Sequence, residues 1–67
     1  MNPTNQQIIA TMEQRGGHFV RRLAACFAAA DSDNFDTLLY AFRHLWSDYR
    51  QRCIEEMRVA EQEIASI

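Results

Sequence analysis

The chain has no lysine, a single proline, two glycines and two cysteines among its 67 residues, and no long apolar run. Each scarcity closes off a class of structure. So little proline and glycine removes collagen-like, low-complexity and loop-dominated architectures, which need far more of both. Two cysteines do not make a disulfide framework, and without a charged segment leading into an apolar one at the amino terminus they fit a reducing compartment. Leu23 to Ala30, the longest small-apolar stretch, is far short of the roughly 20 residues that cross a bilayer. A cytoplasmic protein with no membrane association is expected.

Charge of one sign is also missing. The formal net charge is −2, with both signs interleaved along the chain, so there is neither a basic field for nucleic acid nor an acidic field that imitates it. All basic residues are arginine and alanine is abundant, which reads as the base composition of a GC-rich coding sequence rather than a choice of phosphate-binding side chains.

What is present is a folding composition, 48% hydrophobic and 24% charged, sufficient for one domain over residues 1–67. A chain this short buries only about 60% of its unfolded surface, so its core is marginal unless a disulfide, a metal or a second chain supports it.

Hydrophobic spacing predicts an all-α fold of three helices, at about 4–15, 18–30 and 34–65. Thr4 stands as N-cap of the first with Gln7 as its capping-box partner, and Gly16-Gly17 is expected to end it through a left-handed cap. The second helix places Phe19, Val20, Leu23, Cys26, Phe27 and Ala30 on one face, and Arg21 and Arg22 on the other. After the turn formers Asp31-Ser32-Asp33-Asn34, either Ser32 or Asp33 is expected to cap the third. That helix has no Gly or Pro inside it and carries Phe35, Leu38, Leu39, Phe42, Leu45, Trp46, Tyr49, Cys53, Met57, Ala60, Ile64 and Ile67 at spacings of three and four with two adjacent pairs.

Lengths then suggest a partner. Thirty helical residues reach roughly 45 Å and the second helix roughly 20 Å, so a hairpin of the two covers the third only to about Trp46 or Tyr49. The first helix offers just Ile8, Ile9 and Met12 to cover the rest. The uncovered stripe is expected to meet another chain, most simply a second copy in a dimeric helical bundle, through Tyr40, Trp46, Tyr49, Cys53, Met57 and Ile64. The alternative is a closed monomeric bundle in which the first helix folds back along the third.

Catalytic and metal chemistry find little purchase. His18, Cys26, His44 and Cys53 lack the two close ligand pairs of a zinc site, and neither thiol has a histidine at activating spacing. Glu55, Glu56, Glu61 and Glu63 lack the Glu-x-x-His spacing of di-iron helices. No enzyme activity, metal or cofactor is expected. Arg15, Arg21 and Arg22, with His18, form a small basic cluster that a DNA-associated regulator would use. The helix that would enter the groove, however, begins Asp33-Asn34-Phe35-Asp36, acidic where phosphates are met.

The run Gly16-Gly17-His18-Phe19-Val20-Arg21-Arg22-Leu23-Ala24, then Ala30-Asp31-Ser32-Asp33-Asn34 and the segment from Phe42 to Tyr49, resembles small helical proteins encoded by bacteriophages and prophages. The likeness spans residues 16–50 and carries no catalytic motif. It implies a phage product in the bacterial cytoplasm, a setting in which such proteins bind and disable a host or defence protein. A virion or assembly component is the further alternative.

Overall fold

The computed structural model describes residues 2–65, with side chains from Asn2 to Gln62. Over these residues the chain is four helices, α1 (Asn5–Arg15), α2 (His18–Ala29), α3 (Ser32–Ala41) and α4 (Arg43–Ala65), and no strand.

The start of α1 follows from its first residues. The Gln7 N–H donates to Thr4 Oγ1 at 3.1 Å and the Thr4 N–H donates to Gln7 Oε1 at 2.8 Å, so the capping box satisfies two amides that a helix start leaves without partners. Thr11 is buried, and its hydroxyl donates to the Gln7 carbonyl at 3.0 Å, which removes the cost of taking it out of water. Ile8 and Met12 then face inward with almost no exposure.

At Gly16-Gly17 the expected left-handed cap is corrected. Both glycines have negative φ, −81° at Gly16 and −78° at Gly17, within reach of any L-residue. Gly16 is required for space instead. A Cβ there would lie 2.4 Å from Val20 Cγ1 and 2.5 Å from the Met12 carbonyl oxygen, because α1 and α2 turn back on each other at this residue. The cap of α3 is corrected as well: Asp31, not Ser32 or Asp33, accepts the Asn34 N–H at 2.8 Å, and Ser32 is already the first helical residue.

The largest correction concerns the expected third helix, which is not continuous. At Phe42 the backbone leaves helical values, with φ −116° and ψ 31°, and the chain bends. Phe35 and Trp46 would stand about 16 Å apart along an unbroken helix. Their ring centroids are 5.7 Å apart, edge to face. No glycine or proline causes the bend. Packing does: Phe27 of α2 takes Phe35 at 5.3 Å and Trp46 at 4.8 Å, which is possible only if α3 and α4 fold over the same ring. Aromatic pairs of this kind contribute about 0.5–1.5 kcal/mol each, and burying a ring such as that of Trp46 adds about 1.5–3 kcal/mol, which together exceed the roughly 1 kcal/mol lost with each backbone hydrogen bond that the bend interrupts. The balance favours bending. Part of the backbone ladder survives it, with the Phe42 N–H on the Leu38 carbonyl and the Trp46 N–H on the Phe42 carbonyl, both at 2.9 Å.

Bending also changes what covers what. Phe27 beside Phe35, and Phe19 6.0 Å from Phe42, give α2 and α3 the antiparallel sense of the expected hairpin. The core is nevertheless made by α1, α2 and α4, as Ile8, Met12, Leu23, Ala24, Phe27, Trp46 and Tyr49. The first helix is therefore central, with close approaches to both α2 and α4. Arg15 Nε–H donates to Glu56 Oε1 at 2.8 Å, and Arg50 Nη2–H donates to Asn2 Oδ1 at 3.1 Å, one at each end of α1. Intrachain cover of α4 thus runs past Tyr49 to about Glu56, which corrects the expectation that it stops near Tyr49. The three apolar side chains of α1 reach this stretch because α4 comes back to them.

Candidate functional site

With α4 folded back, the residues proposed from sequence as a partner interface separate into two groups. Trp46, Tyr49 and Cys53 belong to the buried interior, Cys53 at 4% exposure, and its Sγ–H points at Met57 Sδ 4.0 Å away. They are engaged within the chain. Met57 is half-buried at the edge of the cover provided by α1, and Tyr40 is 74% exposed. The Ile64 side chain lies outside the described residues.

Tyr40 owes its position to helix phase. Phe35, Leu38, Leu39 and Phe42 share the inward side of α3, and Tyr40 falls on the opposite side, where the Arg43 guanidinium sits 5.0 Å from its ring centroid. That guanidinium also donates to the Tyr40 carbonyl at 2.9 Å, satisfying a backbone acceptor beside the bend. Tyr49 carries a similar neighbour, Arg52, at 5.2 Å.

Two exposed apolar side chains stand outside the sequence-derived interface, Phe19 at 63% exposure and Val59 at 52%. Periodicity placed Phe19 with the core because it shares a broad apolar face with Leu23 and Phe27. At about 100° per residue that face divides into an edge formed by 26, 19 and 30 and a stripe formed by 23, 27, 20 and 24. The core takes Val20, Leu23, Ala24 and Phe27, and leaves Phe19 and Cys26 outward. The division was readable in the sequence, but which stripe is covered was not. Val59 lies off the α4 core stripe and, with Ala60, Arg15, Arg52, Glu55 and Glu56, lines an open groove where α1 ends against α4.

The whole of α3 is the least covered element. None of its residues is buried, and Phe35, Leu38 and Leu39 are only half-buried although they pack against the core. The chain exposes 5028 Å², against about 4,400 Å² for a compact monomer of its 7.8 kDa. Its radius of gyration is 13.0 Å, against about 11 Å for a compact domain of this length.

Of the basic cluster, Arg15 is tied to Glu56, while His18, Arg21 and Arg22 remain exposed on α2. Cys26 is exposed and Cys53 buried, both as free thiols. Among the described residues, no group of three or more His, Cys, Asp or Glu is placed to hold a metal ion. No helix among the described residues is long and apolar enough to cross a membrane. No family model, curated protein or solved structure matches the chain.

Proposed function

We propose that the protein is a non-enzymatic interaction module that associates with itself and binds, and thereby inhibits, a protein of the bacterial cell. The observation that carries the reading is α3, an amphipathic helix without one buried residue, whose apolar side chains Phe35, Leu38 and Leu39 are left half-buried. Apolar surface left part-covered in this way is what a partner removes from water. The bacterial setting rests on the likeness of residues 16–50 to small phage-encoded proteins. A DNA-associated role for Arg15, Arg21 and Arg22 is the weaker reading, because Glu56 already neutralises Arg15 and Asp31 and Asp33 head α3.

The test is affinity capture from bacterial lysate with quantitative mass spectrometry, comparing the wild type with Phe19→Asp and Tyr40→Asp. Both side chains are largely exposed, and circular dichroism and thermal melting matched to the wild type check that each variant keeps the fold. A protein retained by the wild type and lost from either variant supports the reading. Identical captured sets, or nothing above a tag control, refute it. Strongly salt-dependent binding to duplex DNA would move the assignment to the Arg cluster.

A further inference from the structure

The bend at Phe42 joins two segments that the sequence writes as one helix. No residue between Ser32 and Ala65 is Gly or Pro. The apolar positions Phe35, Leu38, Phe42, Leu45 and Tyr49 recur at alternating spacings of three and four, straight through the bend. That is the a/d rhythm of a helix made to pair with another helix. Among the described residues, the segment before the bend is held to the rest of the chain by apolar packing without a side-chain hydrogen bond to a residue remote in sequence. Its side-chain hydrogen bond, from Thr37 Oγ1 to the Asp33 carbonyl, is internal to α3, and the bonds at its two ends, Asp31 with Asn34 and Arg43 with the Tyr40 carbonyl, are local as well.

We propose that Phe42 is a swap hinge whose occupant is a second copy of this chain. In the dimer α3 and α4 straighten into one helix, two such helices pair antiparallel about a two-fold axis at Phe42, and each α4 receives the α1–α2 pair of the other chain. This rests on the self-association reading above and gives it a mechanism.

Two observations support it. Register is the first: antiparallel pairing centred on Phe42 sets Phe35 against Tyr49 of the second copy, Leu38 against Trp46 and Leu39 against Leu45, apolar at every step. Conservation of contacts is the second. Phe35 already lies against Trp46, and Ile8, Met12 and Phe27 share one core with Trp46 and Tyr49, so opening the hinge exchanges these contacts between chains without losing them. Straightening also returns Phe42 from φ −116° and ψ 31° to helical values, removing the conflict between local preference and packing at the bend.

The experiment asks which chain's α1 touches α4. Arg15→Cys and Glu56→Cys, whose native side-chain tips meet, are combined with Cys26→Ser and Cys53→Ala, joined with a short bis-maleimide crosslinker that spans two helix backbones, and run on a denaturing gel beside light scattering of the same sample. The swap predicts covalent dimers. His44→Pro, made in the otherwise native chain, is the second variant. His44 is in the first turn of α4, where proline is tolerated, whereas in a continuous helix the ring would clash with the Tyr40 carbonyl. Dimerisation should weaken about 100-fold or more, with helix content kept. A dimer by light scattering whose crosslinks are all internal, or a His44→Pro chain that dimerises like the wild type, overturns the swap and leaves self-association standing. A wild type that sediments as a monomer at every concentration overturns both.

Discussion

Gly16→Ala is the substitution with the most one-sided expectation. It adds a single methyl group whose carbon would lie 2.4 Å from Val20 Cγ1, 2.6 Å from Val20 Cβ and 2.5 Å from the Met12 carbonyl oxygen. None of the three can step aside. Val20 is β-branched with one favoured rotamer in a helix, and the carbonyl belongs to α1 and accepts the Gly16 N–H at 2.9 Å. Relief requires α1 and α2 to move apart, which loosens Met12 and Leu23 together. Overpacking costs about 1–3 kcal/mol, and a contact with fixed backbone belongs at the upper end. A chain of 67 residues has about 3–10 kcal/mol of stability in all. A loss near 3 kcal/mol lowers Tm by roughly 12–24 °C. Urea titration followed by Trp46 fluorescence measures it, since Trp46 is buried against Phe27 and reports on the core; the midpoint should fall by about 2 M. Gly17→Ser is the matched control. A Cβ at Gly17 meets nothing within 4 Å, and serine adds the side-chain cap that α2 lacks, so this variant should gain about 0.5–1 kcal/mol. If Gly16→Ala unfolds at the wild-type midpoint, or both variants lose stability equally, the close-approach account of the turn is wrong.

Phe27→Ala removes the ring on which α3 and α4 converge; a loss of about 3–5 kcal/mol should leave much of the chain unfolded at 37 °C, and a cooperative thermal transition near the wild-type Tm in circular dichroism would contradict the assignment of the bend to packing. Asp31→Ala should cost about 1 kcal/mol by removing the acceptor for the Asn34 N–H, whereas Ser32→Ala should change thermal stability little, which reverses the order expected had Ser32 been the cap. For Arg15 and Glu56, 58% and 41% exposed, a double-mutant cycle in low salt should return no more than about 0.5 kcal/mol of coupling. Coupling several times larger would mean that the pair is shielded from solvent, as by a second chain.

The backbone of α3 and α4 sets two costs against each other, and the outcome explains the exposed surface. Straight, the helix keeps its ladder but carries Phe35 and Trp46 too far apart to share Phe27. Bent, it completes a core for a chain too small to do so otherwise, at the price of leaving α3 half-covered on the outside.

The sequence alone determined the all-α class, the capping box of Thr4 and Gln7, the turns at 16–17 and near 31, and the antiparallel pairing of α2 with the segment after it. These are local matters: caps, glycines and a 3.6-residue period act within a few residues and are written in order along the chain. It could not determine the bend at Phe42, because no residue there disfavours helix; the decision comes from Phe27, fifteen positions earlier, and from the two rings it gathers. For the same reason, the burial of Tyr49 and Cys53, the central place of α1 and the outward stripe of Phe19 were settled only by tertiary structure. An apolar face says that something covers it, and only the packed chain decides whether that is a neighbouring helix or water.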